Sequence, residues 1–366
     1  MKTIIVPAEI KDVLNRFKAH DLEAFVVGGS VRDQLLGKQA HDYDITTNAL
    51  PQQVKELFRD MDQFDAGIRH GTVTIITNIG PVEITTYRTE TTYKDHRHPD
   101  EVRFASTLQE DCARRDLTIN ALCWNETDGL KDYFHGLEDL DAHIIRAILE
   151  PKQRFEEDAL RIMRTIRFAA ELNFTIEEET HKALFTCAGL LKHIAMERIQ
   201  TEFFRILNSS DPTTYINTYL EVLQVPFPFL KTCDINECPT LYAKLHKLGF
   251  TPEHLRHLKC SNEVIDHVKA LNETPLNDES QIRLFMATYP YDLEEYAEYH
   301  HIPPETFDIK LPIHSLPELA ISGKDVADAG YQGPQIKAIL QELFELVLNE
   351  KLPNEKDVLL KHIQGH

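Results

Sequence analysis

From Phe25 to Thr47 the chain reads FVVGGSVRDQLLGKQAHDYDITT, and this stretch constrains the fold more than any other. A short apolar run ends at Val27 and gives way to Gly28-Gly29. Arg32 then falls in the first turn of a predicted helix, Val31 to Leu36, which Gly37 ends. Asp42-Tyr43-Asp44 heads a second β-prone run that reaches Thr47. Strand, glycine turn, helix and acidic strand together make a cradle for a nucleoside triphosphate and its metal ions.

The chemistry of the cradle follows from its residue types. In a strand, residues i and i+2 share a face, so Asp42 and Asp44 present two carboxylates side by side. Two such groups repel unless a cation lies between them, and hard oxygen ligands suit Mg²⁺. Gly28-Gly29 allows close backbone approach, the helix start offers N–H groups to an anion, and Arg32 can grip the outer phosphates. Taken singly, a DxD is the polar face of an edge strand and Gly-Gly is a tight turn. Taken together at this spacing they favour nucleotidyl transfer by two metal ions, with Asp42 and Asp44 as catalytic and metal-binding residues. Glu83, on a later strand, is a candidate third carboxylate, and a plain surface glutamate is an equal reading. His41-Asp42 lacks the further ligands of an HD phosphohydrolase, and His96 and His98 read as loop residues.

At 366 residues the chain is long enough for roughly two to four domains. No run approaches the roughly 20 apolar residues of a membrane span, and no signal peptide is visible. Six cysteines without a CxxC pair read as reduced thiols in a cytoplasmic protein. The formal charge of −20 argues against an RNA partner. Arginines nevertheless concentrate between Arg97 and Arg167, which leaves room for a basic groove on an acidic protein.

Predicted elements start with a helix over 8–19, where Ile10, Val13, Leu14 and Phe17 share a face. Strands follow at Phe25 to Val27 and Asp42 to Thr47, then a helix to about Phe58, then a hairpin formed by Thr72 to Thr77 and Val82 to Tyr87. From Arg154 onward amphipathic helical patterns dominate, beginning with one helix from Glu156 to Leu172. On its wheel Ala159, Ile162, Met163, Ile166, Ala169 and Ala170 form the apolar face. Asp158 lies at the edge, and Arg161 and Arg164 point away. Arg167, about 100° from the centre of that face, also reads as a structural ion-pair partner. The simplest reading of these charges is a solvated face with a Glu157–Arg161 pair.

The motifs also match a family. Gly28-Gly29-Ser30-Val31-Arg32-Asp33 with Asp42-Tyr43-Asp44 resembles the first motif of the class II tRNA nucleotidyltransferases, the bacterial CCA-adding enzymes of the polymerase-β superfamily. Arg114 to Ala121, RRDLTINA, resembles their RRDFTINA string, and Glu157-Asp158-Ala159-Leu160-Arg161 their EDxxR motif. Thr92 to Pro99 resembles their flexible loop, and Ile321 to Asp325 with Gly333-Pro334 their tail. The resemblance implies an α+β fold, with a small mixed-sheet nucleotidyltransferase head followed by an all-α neck, body and tail. The implied spans are 1–138, 139–208, 209–310 and 311–366.

What the resemblance implies for function is template-independent addition and repair of the tRNA 3′-terminal CCA with CTP, ATP and Mg²⁺. The partner would be tRNA, with a homodimer left open and no membrane. Gly28, Gly29, Arg32, Arg115, Asp116, Asp158, Arg161, Arg164 and Arg167 would bind nucleotide, with Asp116 on the ribose and Asp158 and Arg161 on the base. Cytosine and adenine each place an amino donor beside a ring-nitrogen acceptor, which a carboxylate and a guanidinium complement. An A-adding enzyme is the alternative. A poly(A) polymerase would carry a GRRF-type string that is absent here, a CC-only enzyme would lack the flexible loop, and a non-catalytic RNA-binding relative would have lost the Asp42/Asp44 pair.

Overall fold

The computed structural model describes residues 4–40, 42–65, 67–90, 102–272, 278–289 and 293–364. The chain divides into two compact units, Met1–Thr232 and Cys233–His366. In the first, helix α1 (Ala8–Lys18) buries Ile10, Val13, Leu14 and Phe17, the four positions its spacing predicts. Strand β1 (Ala24–Val27) is buried at every position, as a strand covered on both faces must be. Then come α2 (Gly29–Leu35), β2 (Asp44–Thr47), α3 (Pro51–Leu57), β3 (Gln63–Phe64), β4 (Thr72–Thr77) and β5 (Gly80–Thr86). Gly37, at φ +77°, stops α2 in the left-handed conformation that glycine adopts without strain.

A small two-stranded ladder, β6 (Arg88–Glu90) and β7 (Val102–Phe104), precedes α4 (Leu108–Ala113), β8 (Cys123–Asn125) and β9 (Gly129–Lys131). The main sheet runs β3-β4-β5-β2-β1-β8-β9. It is mixed, since β2 and β5 are parallel and their neighbours pair antiparallel. Register is what builds the site. Val27, the last residue of β1, lies between Asp44 of β2 and Cys123 of β8. The next residue is Gly28, so the glycine turn, the acidic strand and the loop before β8 meet at one end of the sheet. Asp44 is aligned in turn with Glu83 of β5. The ladder begins at Asp44 rather than at Asp42, so Asp42 precedes the strand in which it was expected.

Behind this end lies Asp111, fully buried at 0% exposure. Its carboxylate accepts hydrogen bonds from Thr46 Oγ1 at 2.9 Å, Arg114 Nε at 2.9 Å, Arg115 Nη2 at 3.2 Å and the Arg88 N–H at 3.3 Å. A buried carboxylate is tolerated only with such partners. Phe25, Val27, Tyr87, Leu108 and Cys112 pack beside it in one apolar cluster.

The unit continues with α5 (Gly136–Asp141), β10 (Ile144–Ile145), α6 (Pro151–Glu157), α7 (Leu160–Leu172), β11 (Thr175–Ile176), α8 (Glu178–Cys187), α9 (Met196–Leu207), α10 (Pro212–Thr218) and α11 (Leu220–Leu223). The single helix expected over Glu156 to Leu172 is broken. Asp158 is extended, at φ −136° and ψ 102°. Its Oδ1 accepts from the Leu160 N–H at 3.0 Å, so the aspartate stops one helix and starts the next. The wheel drawn through the break therefore misplaces Asp158, while Arg161, Arg164 and Arg167 keep their relative positions within α7. The face opposite the apolar one is not simply solvated: Arg161 is 7% exposed, although its expected pair with Glu157 is present at 2.9 Å, and Arg164 is about a third exposed.

The second unit holds α12 (Leu241–Lys247), α13 (Pro252–His257), α14 (Asn262–Asn272), α15 (Glu279–Thr288), α16 (Leu293–His300), α17 (Gly323–Asp328), α18 (Pro334–Leu348) and α19 (Lys356–Gln364). Among its described residues there is no strand. Leu343, Phe344, Val347 and Leu348 of α18 join Val326, Leu359 and Ile363 in its core.

Gly136 supplies a test of how tightly the loop before β8 is held. A Cβ there would sit 2.3 Å from the Thr118 carbonyl oxygen, within the turn Thr118–Asn120. Gly136→Ala should therefore cost about 1–3 kcal/mol, the usual range for overpacking. Urea unfolding should show a lower midpoint at unchanged slope.

Candidate active site

A cavity of about 420 Å³ opens at the end of the sheet where these elements meet. The sheet side contributes Gly28, Gly29, Arg32 and Asp44, and the segment after α4 contributes Arg114, Arg115, Asp116 and Asn120. Asp158 at the helix break faces it, with Arg161, Arg164, Arg167 and Phe168 of α7 and Arg205 of α9. Every residue expected at the site except Asp42 lines this cavity. Gly28 has φ +78°, and its N–H donates to the Leu122 carbonyl at 3.2 Å. A side chain at that φ would be strained, which explains glycine at this turn.

The acidic edge consists of Asp42, Asp44 and Glu83. Asp44 is exposed at the start of its strand, yet desolvation by the surrounding protein pushes its carboxyl above its usual range, and the nearby charges of Glu83 and Asp42 add to this while Arg115 opposes it. A site that resists ionising its own carboxylate suits a divalent cation, which removes the repulsion. Among the described residues no three His, Cys, Asp or Glu side chains form a ready-made metal cage. A magnesium ion does not need one, since it keeps water and phosphate oxygens in its shell.

The opposite wall is held by paired charges. Asp116 Oδ2 accepts from Arg164 Nε at 2.8 Å and Nη2 at 2.6 Å. Its Oδ1 accepts from the Leu117 N–H at 2.9 Å and from Asn120 Nδ2 at 3.1 Å. Despite burial, Arg164 and these hydrogen bonds hold the Asp116 carboxyl far below the ordinary carboxylate range. Asn120 Oδ1 accepts from Arg32 Nη1 at 2.7 Å, which ties α2 to the same group. Asp158 Oδ2 accepts from Arg198 Nη2 of α9 at 3.2 Å. Arg161 donates to Glu157 Oε2 at 2.9 Å and to the Arg114 carbonyl at 2.7 Å. Arg167 lies 2.5 Å from Glu202 and 3.0 Å from Glu171, so the ion-pair reading of Arg167 is realised on a residue that also lines the cavity.

Four lining residues were not singled out from the sequence: Arg114, Asn120, Phe168 and Arg205. The first two lie inside the RRDLTINA string and could have been taken from it. Phe168 had a weaker signal, as a large aromatic off the apolar face and four residues after Arg164. Arg205 had none. Thr92 to Pro99, with His96 and His98, and also His41, lie outside the described residues.

Comparison with known proteins decides the family. The sequence matches the poly A polymerase head domain over residues 24–146. It also matches a "probable RNA and SrmB-binding site of polymerase A" over 173–232 and tRNA nucleotidyltransferase domain 2 over 304–363. It is 36% identical to the CCA-adding enzyme of Levilactobacillus brevis, over 96% of each chain. The chain belongs to the CCA-adding enzymes. Against the Bacillus stearothermophilus CCA-adding enzyme in complex with CTP the TM-score is 0.78 at 30% identity, covering 99% of this chain and 98% of the other. The Thermotoga maritima CCA-adding enzyme complexed with tRNA shares the fold, with TM-score 0.60 at 20% identity over 98% and 96% of the two chains. The mixed-sheet head and helical remainder are thus the fold of this family, as the sequence implied. No helix among the described residues is long and apolar enough to cross a membrane.

The Asp116–Arg164 pair gives this CCA-adding enzyme an acid-dependent element. A carboxyl whose folded-state pKa lies below its ordinary 3.8 stabilises the fold above that value and loses the contribution as pH falls below it. Asp116→Asn should therefore lower stability at pH 7 by roughly 2 kcal/mol, the range for hydrogen bonds to charged groups. The gap to wild type should narrow below about pH 4. Chemical unfolding at pH 7, 5 and 3 measures both, and a gap that stays constant across this range contradicts the assignment.

Proposed function

We propose that this cavity binds the incoming nucleotide and that Asp42 and Asp44 hold the catalytic metal ions. As a CCA-adding enzyme, the protein builds the CCA end of tRNA from CTP and ATP. One observation carries the residue assignments. The glycine turn, the acidic strand and the Asp158/Arg161 pair, separated by more than a hundred residues, open onto one cavity.

Arg32, Arg164 and Arg167 take the triphosphate, and Asp116 takes a ribose hydroxyl. The tRNA 3′-hydroxyl attacks the α-phosphate and pyrophosphate leaves. Magnesium bound by Asp42 and Asp44 would supply charge neutralisation on the phosphates and a more acidic attacking hydroxyl. Glu83, aligned with Asp44, strengthens the negative field at that place. Asp158 accepts from the amino group of cytosine or adenine, and Arg161 donates to the adjacent ring nitrogen. Arg198 and the Leu160 N–H fix the Asp158 carboxylate, while Glu157 and the Arg114 carbonyl fix Arg161. Uracil and guanine present donor and acceptor in reverse order, leaving groups unpaired at roughly 1–3 kcal/mol each. Residues 139–208 form the neck, and 209–310 and 311–366 form a body and tail that hold the acceptor arm through its backbone. The enzyme works in the cytoplasm.

The reaction is tested with tRNA lacking CCA, tRNA ending in C, tRNA ending in CC and an oligo(A) primer, each with CTP, ATP or both. Full CCA on the first substrate is expected. Extension of the CC-ended tRNA alone would make the enzyme A-adding. Asp44→Ala should reduce turnover about a thousandfold, the equivalent of several kcal/mol of metal-assisted stabilisation, while leaving CTP binding measurable. Asp158→Ala should raise UTP incorporation relative to CTP by about tenfold, the equivalent of one lost discriminating hydrogen bond. Unchanged discrimination against UTP and GTP in that variant would remove Asp158 from base reading.

A further inference from the structure

Phe168 of α7 lies on the cavity wall and is 6% exposed. Three guanidinium groups surround its ring. Arg167 Cζ lies 3.7 Å from the ring centroid, Arg32 Cζ 5.0 Å and Arg164 Cζ 5.5 Å. Arg164 and Arg167 belong to the same helix as the ring, but Arg32 comes from α2, on the sheet side of the cavity. All three line the cavity. Like charges gathered this closely repel; at Arg167 burial lowers the guanidinium pKa by desolvation, Glu202 and Glu171 oppose this, and the charges of Arg164 and Arg205 add to it. The negative face of an aromatic ring offsets part of that cost.

A ring differs from a carboxylate in one respect that matters for binding. A carboxylate partner engages guanidinium N–H groups and cancels the charge. An aromatic face attracts the cation through its quadrupole and leaves the in-plane N–H donors for a ligand. Each of the three arginines has a carboxylate neighbour as well: Asp33 for Arg32, Asp116 and Glu202 for Arg164, and Glu202 and Glu171 for Arg167. Glu202 serves two of them, whereas Phe168 is in contact with all three.

We infer that Phe168 is a positioning residue for polyphosphate binding, its ring holding Arg32, Arg164 and Arg167 together so that their donors face the triphosphate. The inference rests on the assignment of these arginines to the phosphates. The cation–π partners of the ring are Arg32, Arg164 and Arg167, the arginines given above to the phosphates and not to the base. Its loss should therefore weaken every nucleotide alike and leave the choice of base untouched.

The test compares wild type with Phe168→Leu, which removes the π face, and Phe168→Tyr, which keeps it. Binding of CTP, ATP and inorganic tripolyphosphate is measured, the last by displacement of CTP. Phe168→Leu should weaken all three by the same factor, about five- to tenfold, the equivalent of one or two cation–π contacts. KM should rise more than kcat falls, and the ratio of CTP to UTP incorporation should stay at the wild-type value. Phe168→Tyr should recover most of the affinity. Where Phe168→Leu fails to fold, Phe168→Met against Phe168→Tyr provides the same contrast. Unchanged tripolyphosphate affinity in the Leu or Met variant overturns the proposal. So does a Tyr variant as weak as the Leu variant, since volume rather than the ring would then be at work. If tripolyphosphate fails to displace CTP from wild type, the arginines do not hold the phosphates, and both readings fall together.

Discussion

The site depends on the ion pair between Asp116 and Arg164. Asp116 sits in the segment between α4 and β8, and Arg164 sits on α7, so the pair joins that segment to the helix that carries Arg161 and Arg167. Its geometry is fixed at both ends. Asn120 donates to the other oxygen of Asp116 and accepts from Arg32, which continues the chain of hydrogen bonds to the helix behind the glycine turn. Arg32, Asn120, Asp116 and Arg164 thus form one connected polar path across the cavity wall. Buried polar groups of this kind rigidify a site when each has its partner and destabilise it when one is lost. This path ties the helix behind the glycine turn to α7 through hydrogen bonds and an ion pair.

Charge placement explains how a protein with a formal charge of −20 can offer a cationic cavity. Asp111 faces Arg114 and Arg115, Glu157 faces Arg161, and Glu171 and Glu202 face Arg167. None of these four acids lines the cavity. They stand one layer back, where they lower the cost of gathering arginines without covering the wall. A wall of this composition draws anions into the cavity even though the molecule as a whole repels them, because screening over roughly 8–10 Å confines the distant charges.

The sequence disclosed the sheet side of the site well and the helix side less well. Gly28, Gly29, Arg32 and Asp44 are close in sequence, and the strand–turn–helix logic that brings them together is local. The register that sets Asp44 beside Val27 and Glu83 is not local, and only the paired strands reveal that the carboxylates of β2 and β5 are aligned. Short strands such as Cys123–Asn125 and Gly129–Lys131 left no periodic signal, because two or three residues are too few for alternation to be seen. The helical wheel failed where a tertiary contact overrode a continuous pattern. Residues 156 to 172 have no glycine or proline to announce a break, yet Asp158 turns out of the helix to cap its successor.

That break has a functional reading that an unbroken helix would not allow. In one continuous helix Asp158 and Arg161 would be three residues apart on a rigid cylinder, with backbone N–H groups committed to the preceding carbonyls. Extending Asp158 sets its carboxylate against the Leu160 N–H and Arg198, two donors that orient it from separate elements. It also places Arg161 at the start of a new helix, where its guanidinium reaches back to the Arg114 carbonyl of the sheet side. The acceptor and the donor are therefore fixed independently, one through α9 and one through the segment after α4. Under the proposed base-reading role, a pair fixed this way keeps its spacing while the nucleotide changes, which selection of two different bases by the same residues requires. The local cost of breaking the helix is small beside that gain, since the Asp158 cap replaces one of the lost backbone hydrogen bonds.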